Sequence, residues 1–145
     1  MPAYIAILED DPRRLAAMRE CLGRRLPAYE LITFDNADEM IVWLEDHLGD
    51  VALISLDHDL PLRQTREGVL VDAGDGRMVA DWLAGRVPCC PVIVHTSNEH
   101  FAPGMMRVLR DGGWTHRRIY PHDNCAWIAT AWAEELSKHL RARPT

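Results

Sequence analysis

The chain has 145 residues, 48% of them apolar, and a formal net charge of −6. That length and apolar content suit one domain, residues 1–145, around one core. The acidic balance excludes an extended nucleic-acid surface, and with no long apolar run and Met1-Pro2 leading straight into a strand pattern, a soluble, cytoplasmic protein without a membrane partner is expected.

Tyr4 to Leu8 (YIAIL) is a short apolar run that reads as a strand and ends at Glu9-Asp10-Asp11. Asp11-Pro12 opens a helix, with Asp11 as N-cap and Pro12 at the first helical position. Leu15, Met18, Leu22 and Leu26 repeat at helical spacing until Pro27. Tyr29 to Phe34 is the next strand. Asp35 or Asn36 caps a helix whose buried stripe is Met40, Ile41, Leu44 and Leu48. Gly49-Asp50 turns into Val51–Leu56 (VALISL), an apolar run that fits a strand buried on both faces. A polar, glycine-bearing stretch follows, with an inserted loop at 62–75 that holds one β-like island, Val69 to Val71. A loop this long in a compact domain is usually functional or mobile.

Asp75-Gly76 opens a helix with Met78, Val79, Trp82 and Leu83 on one face, closed by Gly85 and Pro88. Pro91 to Val94 is another buried strand. A helix over roughly Pro103 to Asp111 turns Met105, Val108 and Leu109 inward and stops at Gly112-Gly113. A weaker strand runs from Thr115 to Tyr120. The last helix starts near Asp123 or Asn124, with Trp127, Ile128, Ala131, Trp132, Leu136 and Leu140 as its stripe; Arg141 to Thr145 are expected to fray. Strand–helix alternation at this spacing predicts an α/β fold, a doubly wound parallel sheet with helices on both faces. Cys21, Cys89, Cys90 and Cys125 lack CxxC spacing and read as reduced thiols.

Three strand ends carry polar clusters: Glu9-Asp10-Asp11, Asp57-His58-Asp59 and His95-Thr96-Ser97-Asn98. In a parallel sheet they share one edge, where such sheets place ligand crevices. Converging carboxylates repel unless a cation neutralises them. All-oxygen ligands favour Mg²⁺, Mn²⁺ or Ca²⁺. Hydroxyl, imidazole and amide groups on the third strand can bind phosphoryl oxygens or move protons.

These stretches resemble the receiver domain of two-component signalling along nearly the whole chain. ILEDDP resembles its first-strand acidic pair, which implies a metal role for Glu9, Asp10 and Asp57, with Mg²⁺ or Mn²⁺ as the ion. LDHDLP places Asp57 on the phosphoacceptor position, and VIVHTSN places Thr96 on the hydroxyl position. The resemblance implies a five-stranded flavodoxin-like sheet of order 2-1-3-4-5. Two departures stand out. Tyr120 precedes Pro121 where receivers carry a lysine, and the 62–75 loop is longer than a receiver's. Arg117 or Arg118 is the nearest substitute for that lysine, though both sit earlier on the strand.

LEDD, LDHDL, the inserted loop, a helix ending in WL and VIVHTSN together resemble the cyclic-phosphate processing receiver domains more closely. That resemblance implies action on cyclic phosphate ends of nucleotides or RNA. It adds His58, Asp59 and His95 to Asp57 as catalytic candidates, and Ser97 and Asn98 to Thr96 for phosphate. The expected partner is a phosphate-bearing small molecule or nucleic-acid end; a signalling receiver would instead take phosphate on Asp57 from a histidine kinase. Blander roles compete: Asp59 in an Asx-turn, His58 ordering the loop, His95 as a core histidine, Asn98 as a helix cap. Strand alternation puts His95 and Ser97 on one face and Thr96 on the other. His100, His116 and His122 are expected to be solvated.

Overall fold

The computed structural model describes residues 2–122 and 124–140, apart from the side chain of Arg63. Strand β1 (Tyr4–Leu8) leads into helix α1 (Pro12–Arg25), β2 (Glu30–Phe34), α2 (Ala37–His47) and, after a short 3₁₀ turn, β3 (Val51–Leu56). Strands β4 (Arg63–Gln64) and β5 (Leu70–Val71) form a small antiparallel hairpin within the inserted loop. Then come α3 (Gly76–Ala84), β6 (Val92–His95), α4 (Ala102–Asp111), β7 (His116–Ile119) and a terminal helix ending in α5 (Ala133–His139). The main sheet is parallel and runs β2-β1-β3-β6-β7. With the hairpin set aside, that is the expected order. No described helix is long and apolar enough to cross a membrane.

The register explains how one sheet serves two cores. Leu8, Leu56 and Val94 lie side by side across β1, β3 and β6, and so do Ile7, Ser55 and Ile93 one residue earlier. Side chains alternate along each strand, so successive rows face opposite layers. The Leu8 row packs with Met40, Leu44, Val79, Leu83, Met105 and Leu109 of α2, α3 and α4. Ile5, Ile7, Leu53 and Ile93 pack with Met18 and Leu22 of α1 and with Trp127, Trp132 and Leu136 of the last helix. A register shift beside Tyr4 puts Val51 and Leu53, two residues apart, into different cores.

Local signals set most boundaries. Asp11 caps α1 by accepting from the Arg13 and Arg14 amides, with Pro12 in the first turn. Asn36, rather than Asp35, caps α2, and Asp75 caps α3. Gly76 opens α3 against the end of β3: its amide donates to the His58 carbonyl, and a Cβ there would collide with the Asp57 carbonyl oxygen.

Some side chains depart from the expected stripes. Met78 is 37% exposed and Ala80 takes the buried place. In the last helix Ala131 is exposed while Ala133 is buried. The cause is a π-helical turn over Ile128–Trp132, which adds a residue to one turn. Trp127 and Trp132, five apart, therefore share a face. The expected start at Asp123 and the expected frayed tail lie outside the described residues. The four cysteines are free thiols.

Gly76→Ala is expected to destabilise the fold by at least about 2 kcal/mol, because backbone rather than a movable side chain blocks the new methyl. Gly49→Ala, with nothing within 4 Å of its new Cβ, should stay within about 0.5 kcal/mol. Urea denaturation of the two variants checks both values.

Candidate functional site

The row beyond Leu8, Leu56 and Val94 is Glu9, Asp57 and His95. The ladder continues to this point, since the Asp57 amide donates to the Leu8 carbonyl at 3.0 Å. Alternation turns this row toward α1 and the last helix. All three side chains are buried, with exposures of 1% for Glu9, 7% for Asp57 and 0% for His95. One ligand atom from each lies within 4.8 Å of the others.

The carboxylates are compensated by neighbours from several elements. Glu9 Oε2 accepts from the Asp10 and Asp11 amides at 2.9 and 3.1 Å. Glu9 Oε1 accepts from Arg14 Nη1 at 3.2 Å and faces His95 Nε2 at 3.3 Å. Asp57 Oδ1 accepts from the His58 amide at 2.7 Å, and its Oδ2 lies 3.6 Å from Arg14 Nη1. Burial alone would raise the Glu9 carboxyl. The His95 imidazole, the Asp11 amide and Arg14 together overcome that and hold it near a pKa of about 2. For Asp57 burial wins: it pushes the carboxyl up to about 6, with the Glu9 charge adding to it against His95, the His58 amide and Arg14.

His95 is held by a relay through the core. Trp132 Nε1 donates to Ser55 Oγ at 3.0 Å, and Ser55 Oγ meets His95 Nδ1 at 2.7 Å. Trp127 stacks on the imidazole at 5.7 Å between centroids. His95 Nε2 faces Glu9 Oε1 at 3.3 Å without meeting full hydrogen-bond geometry. Ser55 can serve either tautomer. It donates to Nδ1 when Nε2 carries the proton, or accepts from Nδ1 when Nε2 presents its lone pair. The second arrangement is the one a metal-bound histidine adopts. Two carboxylates, a buried imidazole and a supporting relay fit a divalent cation. An imidazole donor suits Mn²⁺ or a later transition ion better than Mg²⁺.

Asp10 stays outside this group and is partly exposed. It lines a shallow pocket with Asp35, Pro61 and Leu62. Its pKa is raised, first by burial and then by the Glu9 charge.

His58 is buried on the α3–α4 side. It stacks on Phe101 at 4.4 Å, with Nδ1 3.0 Å from Asp59 Oδ1 and Nε2, which lacks a hydrogen bond, 3.8 Å from Asp75 Oδ2. Asp59 also accepts from Asn98 Nδ2 at 3.2 Å on each oxygen. Asn98 Oδ1 in turn accepts from the His100 and Phe101 amides. Thr96 is buried with its Oγ1 accepting from the Asn98 amide, while Ser97 is exposed. His100 and His122 are exposed; His116 is half-buried and bonds the Trp114 carbonyl.

Neither proposed lysine substitute reaches the acidic row. Arg118 binds Glu99 and the Thr96 carbonyl, and Arg117 lies 3.9 Å from Glu135. Tyr120 is 46% exposed. The cation in contact with Asp57 is Arg14, which the sequence reading passed over. Its signal was its place three residues after the N-cap Asp11, on the turn that follows Glu9.

The architecture is that of receiver domains. Similar solved structures include the phosphorylated cyanobacterial phytochrome response regulator RcpA, at 18% identity and a TM-score of 0.71, covering 99% of this chain and 98% of that one. The Mn²⁺-bound response regulator Rcp1 matches at 16% identity and a TM-score of 0.64, covering 99% and 100%. The BeF₃-activated receiver domain of Klebsiella pneumoniae RstA matches at 20% identity and a TM-score of 0.64, covering 95% and 98%. Within that class the chain belongs to the cyclic-phosphate processing receiver domain family, whose model matches residues 5–111. No curated protein matches it.

Ser55→Ala leaves Trp132 Nε1 and His95 Nδ1 buried without partners. The expected loss is about 1–3 kcal/mol, read by chemical denaturation. Ser137→Ala, which removes only a bond to the Ala133 carbonyl one helical turn back, should cost well under half as much.

Proposed function

We propose that this protein is a metal-dependent phosphoester-processing enzyme of the cytoplasm, acting on cyclic phosphate ends of nucleotides or RNA. The observation that carries this proposal is the buried His95, whose Nε2 faces Glu9 Oε1 at 3.3 Å and which clusters with Glu9 and Asp57 within 4.8 Å. A phosphoacceptor site needs no such imidazole, and the lysine that holds an aspartyl phosphate in receivers is replaced by Tyr120. The name of the family points the same way, and Rcp1 is described as binding Mn²⁺.

In this scheme Glu9, Asp57 and His95 hold the ion, Mn²⁺ ahead of Mg²⁺, and Asp10 would reach it only through water. A divalent ion there polarises a phosphoryl oxygen. His58 takes or gives a proton at Nε2; pairing Nδ1–H with Asp59 directs the lone pair to that atom. Asn98 positions Asp59 rather than meeting phosphate, since both ends of its amide are engaged. Thr96, whose hydroxyl proton remains free to donate, and Ser97 are placed for phosphoryl oxygens. The loop at 62–75 walls the site, pinned at its base by the pairing of Asp59 with Asp75.

A second reading has its own support: Asp57 directly follows β3 in a sheet shared with the phosphorylated RcpA and with RstA activated by BeF₃. In that case a kinase delivers phosphate to Asp57 and no phosphoester is turned over. Incubation with Mn²⁺ and a panel of 2′,3′-cyclic nucleotides, followed by ³¹P NMR, separates the two. The expected outcome is ring opening that Asp57→Ala abolishes and that His58→Ala slows by roughly 10²-fold or more. An absence of turnover above a buffer blank, together with a stable acyl phosphate on Asp57 after treatment with a small phosphodonor, would overturn the enzymatic proposal.

A further inference from the structure

Arg14 is the cation that touches both site carboxylates. Its Nη1 lies 3.2 Å from Glu9 Oε1 and 3.6 Å from Asp57 Oδ2. Glu9 Oε1 is also the oxygen that faces His95 Nε2. The guanidinium thus occupies carboxylate oxygens that a cation in the Glu9–Asp57–His95 row would use. The backbone beneath it is fixed, because Asp11 accepts from the Arg14 amide at 3.3 Å. The side chain itself is less enclosed than the two carboxylates it meets. It is 23% exposed, whereas the three row residues are buried, and its guanidinium lies 5.7 Å from the centroid of the Trp127 ring.

A divalent ion arriving beside a guanidinium meets like charge at short range. The three buried ligands cannot leave, so the arginine must. The nearest anionic demand is then the substrate's phosphate, for which an arginine fork is well shaped. The alternatives are engaged: Arg118 with Glu99 and Thr96, Arg117 and Lys138 with Glu135.

We infer that Arg14 is the phosphate-binding cation of this site and a competitor of its metal: it neutralises Glu9 and Asp57 when no ion is bound, and transfers to a phosphoryl oxygen when an ion takes those carboxylates. The inference rests on the metal site proposed above. It gives the role of the receiver lysine to a side chain from the opposite flank of the sheet, on α1 rather than after β7.

The test is a calorimetric titration of wild type, Arg14→Gln and Arg14→Lys, first with Mn²⁺ alone and then, Mn²⁺-loaded, with inorganic phosphate; circular dichroism checks folding. Arg14→Gln should bind Mn²⁺ several-fold more tightly than wild type, because its competitor is gone. It should bind phosphate roughly tenfold or more weakly, having lost a charge-assisted hydrogen bond. Arg14→Lys should keep phosphate affinity within a few-fold. Unchanged phosphate affinity in Arg14→Gln, or weakened Mn²⁺ binding, would overturn the role of Arg14 while leaving the metal site standing. Wild-type protein that takes up no Mn²⁺ would overturn the metal site and this inference together.

Discussion

Two buried carboxylates on neighbouring strands set the terms for everything around them. Glu9 and Asp57 fall in one row because β1 and β3 pair in parallel with Leu8 opposite Leu56. Adjacent strands lie only about 4.8 Å apart. Water cannot screen the pair, so the fold supplies charge and dipoles instead: an arginine from α1, an imidazole from β6 and three backbone amides. The two groups settle differently. Glu9 collects most of the favourable contacts and stays ionised, while Asp57 is left with a carboxyl near 6. A pair held unequal in this way has the charge of a cation site, and α1 already brings its own cation, Arg14, against it.

The same alternation divides the labour at the sheet edge. The Glu9 row faces α1 and the last helix, where the π-helical turn brings Trp127 against His95 and Trp132 against Ser55. The following residues on β3 turn the other way. His58 lies against Phe101 and between Asp59 and Asp75, at the root of the inserted hairpin. One face of the edge holds charge and the other holds the loop. His58 belongs to the second by packing, with its Nε2 left without a hydrogen bond.

Strand order followed from the resemblance to receiver domains, whereas the layering, the helix starts at Asp11 and Asp75 and the polar strand ends were legible in the sequence itself. Each is a local signal: an apolar run, a capping residue, a proline. Even the row could have been read by aligning the last apolar residue of three strands, Leu8, Leu56 and Val94, and taking the next residue of each. Pairing the acidic residues by family motif grouped Asp10 with Glu9 and Asp57 and made His95 a catalytic candidate, whereas the fold brings Glu9, Asp57 and His95 within 4.8 Å of one another. Arg14 was hidden for a different reason. On a helix that begins DPRR it reads as a solvated basic residue, and only the approach of α1 to the sheet edge shows what it touches. The π-helical turn left no sequence mark either: Ala131 and Ala133 have the same side chain, so the stripe looks equally regular with one buried or the other.

The position of the arginine also bears on what kind of chemistry the edge favours. The sheet runs β2-β1-β3-β6-β7, so a cation placed after β7 would approach Asp57 from the side away from β1. Arg14 comes from the β1 side and shares Glu9 Oε1 and Asp57 Oδ2 with any ion on the acidic pair. It can serve either the carboxylates or a phosphate, but not both. A switch needs its phosphate held for as long as the signal lasts, and a cation with two competing resting places holds it poorly. Turnover needs the opposite: a charge that meets the phosphate while the ion is engaged and returns to the carboxylates when product leaves. The proposed exchange of Arg14, with His95 as an ion ligand, would suit a site that releases phosphate rather than one that keeps it.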